Sequence, residues 1–487
     1  MDNVIHFLNG CIWSPALVVL CLIAGLYFSF GMRFVQVRRF REMIKLLFHN
    51  DKSKKVGISS FQAFSIALSG RVGTGNIVGV ATAIGYGGPG SIVWMWIVAF
   101  FGAGTSFAEA TLAQIYKENH KGQYRGGPAY YIEKGLNCKW LAVVFAVCAI
   151  IALDILMPPA QCNGIAISFS NTFGIETWGV GLVVAALIGL VVMGGVERIA
   201  KVAQIVAPIM AIVYVLLSIV VLALNISVIP SVFADMIRSA FGMNAVLGGI
   251  LGSTISWGVK RGIYSNEAGQ GTGPVVAAAA KTSHPAKQGL VQAFSVYVDT
   301  LLVCTATAVM ILATKTYNVY APSGEILVAA QGVTLGEPDV SYTTSALATV
   351  LGKDLSGVII SVSLFFFAFT TIMAFYYYAE TNLVYLVGKG RREKLFIWVL
   401  RIAVVLSVFF GSLKDAKIIF DLGDCGVGLT AWINIISILL LSKVVFRTLR
   451  SYEKQKKMNI EPHFNPKELN IKNAKFWEEN PDGSEND

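Results

Sequence analysis

The sequence predicts an all-α integral membrane protein with about 11 transmembrane helices, and three observations carry that prediction. Of the 487 residues, 55% are hydrophobic and 14% charged, with a mean hydropathy of +0.63; soluble domains carry roughly 25% charged residues. Apolar runs of about 20 residues, enough to cross a bilayer, recur along most of the chain. Two of these runs, five spans apart, are interrupted by glycines and polar residues. The spans then fall into two blocks of five after one extra span.

The first span is Trp13 to Met32. A basic amphipathic stretch follows, with Arg33, Arg38, Arg39, Arg41 and Lys45, then Lys52, Lys54 and Lys55. The second span, about Ser59 to Tyr86, holds the first interruption, and Gly87-Gly88-Pro89-Gly90 turns the chain into the third, Ser91 to Tyr116. In the polar loop that follows, Arg125 to Pro128 reads as a turn and Ala129 to Leu136 as a short helix at the membrane surface. The fourth span is Leu141 to Phe169 and the fifth Trp178 to Gly194. A loop around Glu197, Arg198 and Lys201 enters the sixth, Val202 to Leu224, and Ile226 to Gly242 reads as an external loop with a short helix. The seventh span, Ala245 to Ser265, is again interrupted by glycine. It leads through GIYSNEAGQGTGPVVAAAAKTSHP to the eighth, Gln288 to Thr314. After a polar connection, Lys315 to Lys353, come Leu355 to Val387, Leu395 to Gly411 and Ile418 to Val445. The charged tail from Arg447 to the terminal EENPDGSEND has the composition of a partly disordered cytosolic end. Three regions result: 1–56, an extra helix with a basic cytosolic segment; 57–446, a ten-helix core with repeats 57–225 and 243–446; and 447–487, the tail.

Charge sets the orientation. Counting the loop after the first span as internal, one side collects the clusters at 33–55, Lys117 to Lys139, Arg198 and Lys201, Lys389 to Lys394 and the start of the tail. The other side receives Arg238, Lys315, Lys353, Lys414 and Lys417. The positive-inside rule then places the N-terminus outside and the C-terminus in the cytoplasm of a cell membrane. The same rule accounts for the net charge of +10 without nucleic acid. The seven cysteines lack C-x-x-C spacing, the five histidines lack ligand spacing, and the first apolar run lacks the basic lead and cleavage site of a signal peptide.

The stretch Ser69 to Val80, SGRVGTGNIVGV, carries four glycines together with Arg71, Thr74 and Asn76. Glycine weakens a helix, and a freed backbone group in lipid needs a partner. Irregular backbone at membrane depth is tolerated where it lines a cavity or is buried in protein. Paired discontinuous helices in odd-sized blocks are the plan of inverted-repeat carriers, whose sites sit at the breaks. Close packing is the competing reading, because Gly75-x-x-x-Gly79 is also a small-xxx-small motif. Packing, however, does not require Arg71, Thr74 and Asn76. Other charges at depth are Glu109, Asp154, Lys260, Arg261, Glu267, Asp299 and Glu380. Arg71 with Glu267 or Glu109 reads as a structural ion pair before a gate, and Lys260 and Arg261 as residues near the cytoplasmic end.

SGRVGTGNIVGVATAIGYGGPGSIVWMWIVAFFG, FAEATLA, YRGGPAYYIEKGL, GVKRGIYSNEAGQGTGP, HPAKQGLVQ with VYVDT, and FAFTTIMAFYYYAETN strongly resemble the alanine/glycine:cation symporter family, from about residue 57 to about 440. The resemblance implies a LeuT-like core with one extra N-terminal helix, and sodium-coupled import of small neutral amino acids. Within it, Thr74, Gly75 and Asn76 would meet the substrate carboxylate with free N–H groups and a positive helix end. Gln161 would accept from the ammonium and resembles the family's substrate-contacting glutamine. For sodium, the carbonyls of Ser69 and Val72 and the hydroxyls of Thr370 and Thr371 would supply oxygens. Trp257 and Phe375 are the candidate pocket walls. Members that carry alanine or glycine often have Trp where Phe375 stands, which leaves glutamine open as the main substrate. The coupling ion implied is Na+, with no organic cofactor; the partners are a neutral amino acid, sodium and lipid.

Other classes fit less well. No G-x-x-x-x-G-K-[ST] supports an ATP-driven pump, and no nucleophile–base or metal constellation supports a membrane enzyme. A channel would want repeated pore rings, where this chain has one asymmetric pair of interruptions. Coupling to protons is a remote alternative, since the break offers hydroxyl and amide oxygens and no histidine.

Overall fold

Most residues are helical in the computed structural model, which describes residues 2–48, 57–244, 247–388, 390 and 392–480. The expectations that fall on Lys52, Lys54, Lys55, Ala245, Lys389 and the tail beyond 480 lie outside the described residues, as does the side chain of Glu197. Among the described residues, eight helical stretches are long and apolar enough to cross a membrane: Val4–Gly31, Gly90–Ile115, Lys139–Phe173, Arg198–Leu224, Pro285–Thr314, Lys353–Val387, Glu393–Gly411 and Ala416–Leu440. The chain is a multi-pass membrane protein. Its peripheral helices expose rows of apolar side chains, such as Leu182, Val183, Leu187 and Leu190 of Thr177–Val192. Contiguous apolar exposure on this scale needs a partner, and for helices of this length lipid is the partner.

Three of the sequence-predicted spans are not long unbroken helices. Thr177–Val192 has 16 residues. The second span is Ser60–Arg71, a π turn at Gly75–Gly79, then Val80–Gly87. The seventh is Leu251–Asn266 and Gly273–Ala279, parted by residues whose φ angles include +56° at Glu267, +91° at Gly269 and +85° at Gly271. Left-handed φ ends an α-helix, and only glycine adopts it without steric cost. Pro274 at the first turn starts the second half. Gly90–Ile115 and Lys353–Val387, each largely buried, flank both breaks and hold the halves in place.

The two ends of Ala416–Leu440 mark the two faces of the bundle. Near its start, Asn9 of the N-terminal helix Asp2–Ile12 donates to Asp421 (2.5 Å). From its end the chain continues into Ser442–Lys457, where Arg38 pairs with Glu453 (2.9 Å) and Tyr452 donates to Glu42 (2.7 Å). The short helix expected at 129–136 is Pro128–Leu136, entered through a hairpin of Glu118–His120 and Gln123–Arg125. The tail differs from its expected disorder as far as residue 480. Phe464, Phe476 and Trp477 are buried, and the segment lies along the loops on that face. Composition misjudged it because three large apolar side chains, spaced irregularly, find a ready-made surface.

Candidate functional site

Both breaks face one another inside the bundle. In the first, Ser60–Arg71 starts from a capping box between Ser59 and Gln62 and ends at Val72, whose backbone is extended (φ −80°, ψ 92°). Carbonyls at such an end lack intrahelical partners. Those of Ser69 and Val72 lie 2.8 and 3.2 Å from Thr371 Oγ1 on Lys353–Val387, which is also 3.0 Å from Phe367 O. One hydroxyl has one proton for three carbonyls, so the cluster holds more acceptors than donors. It is neutral, hard and rich in oxygen, the donor set of a small monovalent cation. Thr370 is differently placed: its hydroxyl bonds back to Phe366 O and Phe367 O, both at 3.0 Å.

On the far side of the break, the Thr74 amide donates to Gln161 Oε1 (3.0 Å) and the Gly73 amide to Asn76 Oδ1 (2.9 Å). A Cβ at Gly73 would come within 2.6 Å of both Gln161 Oε1 and Thr371 Oγ1, so this position requires glycine. Asn76 Nδ2 donates to Asp299 Oδ1 (2.7 Å), whose other oxygen accepts from Ser265 Oγ (2.8 Å) and Thr300 Oγ1 (2.7 Å). Asp299 lies in a π turn, Tyr297–Cys304, that aims its carboxyl between the two broken helices.

The second break is held from behind. Glu109 accepts from the Gly269 amide (3.2 Å), the Gly271 amide (3.0 Å) and Asn434 Nδ2, while Asn434 Nδ2 also donates to Gly269 O (2.9 Å). Arg71 serves the half-helix end: it donates to Asn266 O (2.7 Å), Gln292 O (3.4 Å), Ser106 Oγ (3.2 Å) and Ser295 Oγ. The expected ion pair of Arg71 with Glu109 or Glu267 is therefore corrected. A guanidinium with five donors is absorbed by carbonyls that would otherwise be orphaned, and Glu109 by amides. Neither oxygen of Glu267 accepts a hydrogen bond among the described residues.

A layer of charge closes the cluster on the face of the N-terminal helix. Arg261 forms a two-pronged pair with Asp424 (3.0 Å and 3.0 Å), Lys260 approaches the same carboxylate (2.7 Å), and Asp424 is fully buried. Lys260 also donates to Asn9 (3.2 Å). Lys260 and Arg261 thus lie across the bundle from the basic 33–48 segment and the tail, not at that end. Their expected position came from the run of charge alone. The Trp257 ring packs on Tyr86 (4.9 Å) and under Arg261 (5.0 Å), two turns from the break. The aromatic at the break is Tyr264, whose Cδ1 is 3.2 Å from where a Cβ on Gly75 would stand. Phe375 is buried one turn beyond Thr371, 6.5 Å from the Tyr378 ring.

The family model described as "Sodium:alanine symporter family" matches residues 1–466. The chain belongs to the sodium:alanine symporter family. A putative sodium/proton-dependent alanine carrier protein of Bacillus subtilis, YrbD, is 52% identical over 98% of each chain. The sodium/proton-dependent alanine carrier protein of Bacillus sp. strain PS3 is 47% identical over 88% of this chain and 95% of its own. The sodium/alanine symporter AgcS of Methanococcus maripaludis is 36% identical over 93% and 98%. Among solved structures, MhsT in complex with L-phenylalanine superposes with a TM-score of 0.54 at 13% identity, covering 82% of this chain and 97% of that one. The likeness shows a LeuT-type fold. This family's proteins are secondary transporters, not enzymes.

Of the residues singled out in the sequence, Ser69, Val72, Thr371, Thr74, Asn76 and Gln161 meet at the first break. The sequence did not place Asp299, Tyr264 or the Phe367 carbonyl there. Asp299 was legible as a charge at depth, but nothing local pairs it with a residue 223 positions away. A backbone carbonyl has no sequence signal at all.

Proposed function

We propose that this chain imports small neutral amino acids, alanine and glycine first, by sodium-coupled alternating access in the cell membrane. The observation that carries the proposal is the convergence of Ser69 O, Val72 O and Phe367 O on Thr371 Oγ1 at a helix break. In this reading the chain crosses eleven times, with the N-terminus outside and the C-terminus in the cytoplasm. The ten-helix core, 57–446, is an inverted pair, 57–225 and 243–446. Sodium is bound by Ser69, Val72, Thr371 and, after its hydroxyl turns from its own helix, Thr370.

The substrate carboxylate takes the amides of Thr74, Gly75 and Asn76, displacing Gln161 Oε1 from the first and Gly73 O from the last, and the freed Gln161 and the Asp299 carboxylate then lie on the ammonium side. The Arg261–Asp424 layer is the outer barrier, and the inner halves Ser60–Arg71 and Gly273–Ala279 part to release. One charge moved through 100 mV supplies about 2.3 kcal/mol, enough for roughly a 50-fold gradient.

Relatives named as alanine carriers support the substrate class. Phe375, in place of the tryptophan often present, favours glutamine as the second reading. A competition panel of alanine, glycine, serine and glutamine in proteoliposomes, under imposed sodium or proton gradients, tests both. Saturable, sodium-driven, trans-stimulated alanine uptake is expected. Uptake of every neutral amino acid that ignores the sodium gradient would sink the proposal.

A further inference from the structure

The C-terminal segment does more than end the chain. On its face of the bundle, the inner ends of the two broken helices are tied together: Ile58 N donates to Ala279 O (3.1 Å) and Lys281 N to Ile58 O (2.9 Å), a parallel bridge between Ile58 and Ala280. Ile58 immediately precedes the Ser60–Arg71 half, and Ala279 ends the Gly273–Ala279 half. That second half terminates with carbonyls to satisfy. Gln114 Nε2 takes Ala277 O (2.5 Å) and Ala280 O (2.7 Å), and Lys117 Nζ lies 3.4 Å from Ala280 O.

Gln114 and Lys117 in turn are covered by the tail. Trp477 Nε1 donates to Gln114 O (2.8 Å). The Lys117 ammonium sits 4.4 Å from the ring centres of Tyr124 and Phe476 and 5.1 Å from that of Trp477, a cation held by aromatic faces. A second strand of contacts grips the other flank of the same half-helix: Ser283 Oγ donates to Pro462 O (2.9 Å), Phe464 N to Ser283 O (3.2 Å), and Lys287 pairs with Glu461 (2.5 Å). The Phe464 ring stands edge-on to Trp477 (5.2 Å) and to His284 (5.5 Å), closing the loop.

We propose that residues 461–480 are a latch that holds the inner ends of the two broken helices together, so that inward opening requires the latch to yield, with Trp477 as the positioning residue. The latch reaches both sides of Gly273–Ala279, at 114–117 and at 280–287, and any motion that parts Ile58 from Ala280 strains one of them. The claim that this sets the rate of inward opening rests on the alternating-access reading above; the mechanical coupling does not.

Hydrogen exchange on the full-length protein in lipid nanodiscs reads the coupling without transport. Trp477→Ala should speed exchange in 57–72 and 273–287 by about tenfold, the scale of one lost buried hydrogen bond plus ring packing. Peptides 80–87 and 251–266 should stay at their wild-type rates. Unchanged exchange in 57–72 and 273–287, with the tail itself loosened, overturns the latch. Should Trp477→Ala loosen the whole bundle, Trp477→Phe decides: it keeps one aromatic ring and removes the N–H given to Gln114 with the second, fused ring. It should still accelerate 273–287 by roughly threefold, and no acceleration overturns the proposal. Sodium-driven alanine uptake measured alongside separates the two claims, since wild-type protein that fails to take up alanine refutes the carrier reading while leaving the exchange result standing.

Discussion

Thr371→Val keeps the side-chain shape and removes the hydroxyl that meets Ser69 O at 2.8 Å, Val72 O at 3.2 Å and Phe367 O at 3.0 Å. With sodium bound, the lost contact is one between a charged ion and a neutral oxygen, worth about 1.5–3 kcal/mol. At about 1.4 kcal/mol per tenfold, sodium affinity should fall roughly 10- to 100-fold. The loss also strands the Ser69 carbonyl in the sodium-free state, at about 1 kcal/mol of stability. The assay is initial alanine uptake into proteoliposomes as sodium is varied. The half-saturating sodium concentration should rise by that factor, while uptake at saturating sodium changes far less. Thr370→Val should shift it less, because the Thr370 hydroxyl bonds only to its own helical turn. A half-saturation for Thr371→Val within threefold of wild type would refute the assignment of this cluster to sodium.

Three further outcomes are expected. Asn76→Ala removes the acceptor of the Gly73 amide and the donor to Asp299; with each orphan costing about 1–3 kcal/mol, uptake should fall by about 30-fold or more while the amount of inserted protein holds, and near-normal uptake would displace the break from the mechanism. Asp424→Asn strands Arg261 and Lys260 and should cost about 3–5 kcal/mol, seen as a lowered thermal midpoint in detergent; Asp421→Asn, at a partly exposed pair with His6, should cost under about 1 kcal/mol. His284, buried between the rings of Tyr452 and Phe464, has its pKa lowered to about 3 by burial and then by Lys287 and His463. A depressed histidine is stable above its unfolded pKa, near 6.5, and loses stability as pH falls below it. Going to pH 5 should therefore weaken the docked tail by about 2 kcal/mol, read as a fall in the protection factors of 461–480, after division by the intrinsic exchange rate at each pH, that His284→Gln abolishes.

Much of the fold was legible because its signals are local. Apolar runs locate helices within a few residues: Ser91 to Tyr116 is Gly90–Ile115, and Leu355 to Val387 is Lys353–Val387. The glycines of SGRVGTGNIVGV mark a real interruption, since an unsatisfied backbone is costly at that depth. The seventh span reads from sequence as ending at Ser265, because the residues after it have loop composition, yet a second half follows at Gly273–Ala279. Charge dominates the composition of the tail, while the burial of Phe464, Phe476 and Trp477 decides its position.

The residues in order were enough to read a multi-pass helical carrier with two interrupted helices. Hydropathy, glycine content and family motifs are properties of short stretches, so no partner needs to be known. Only the tertiary structure decided which charge answers which. Arg71 caps the end of the other broken helix, Glu109 takes the amides of Gly269 and Gly271, and Arg261 finds Asp424, on the face of the N-terminal helix. Those pairings depend on helix rotation and on which ends come within about 3 Å, the reach of a hydrogen bond, and neither is written in any one segment.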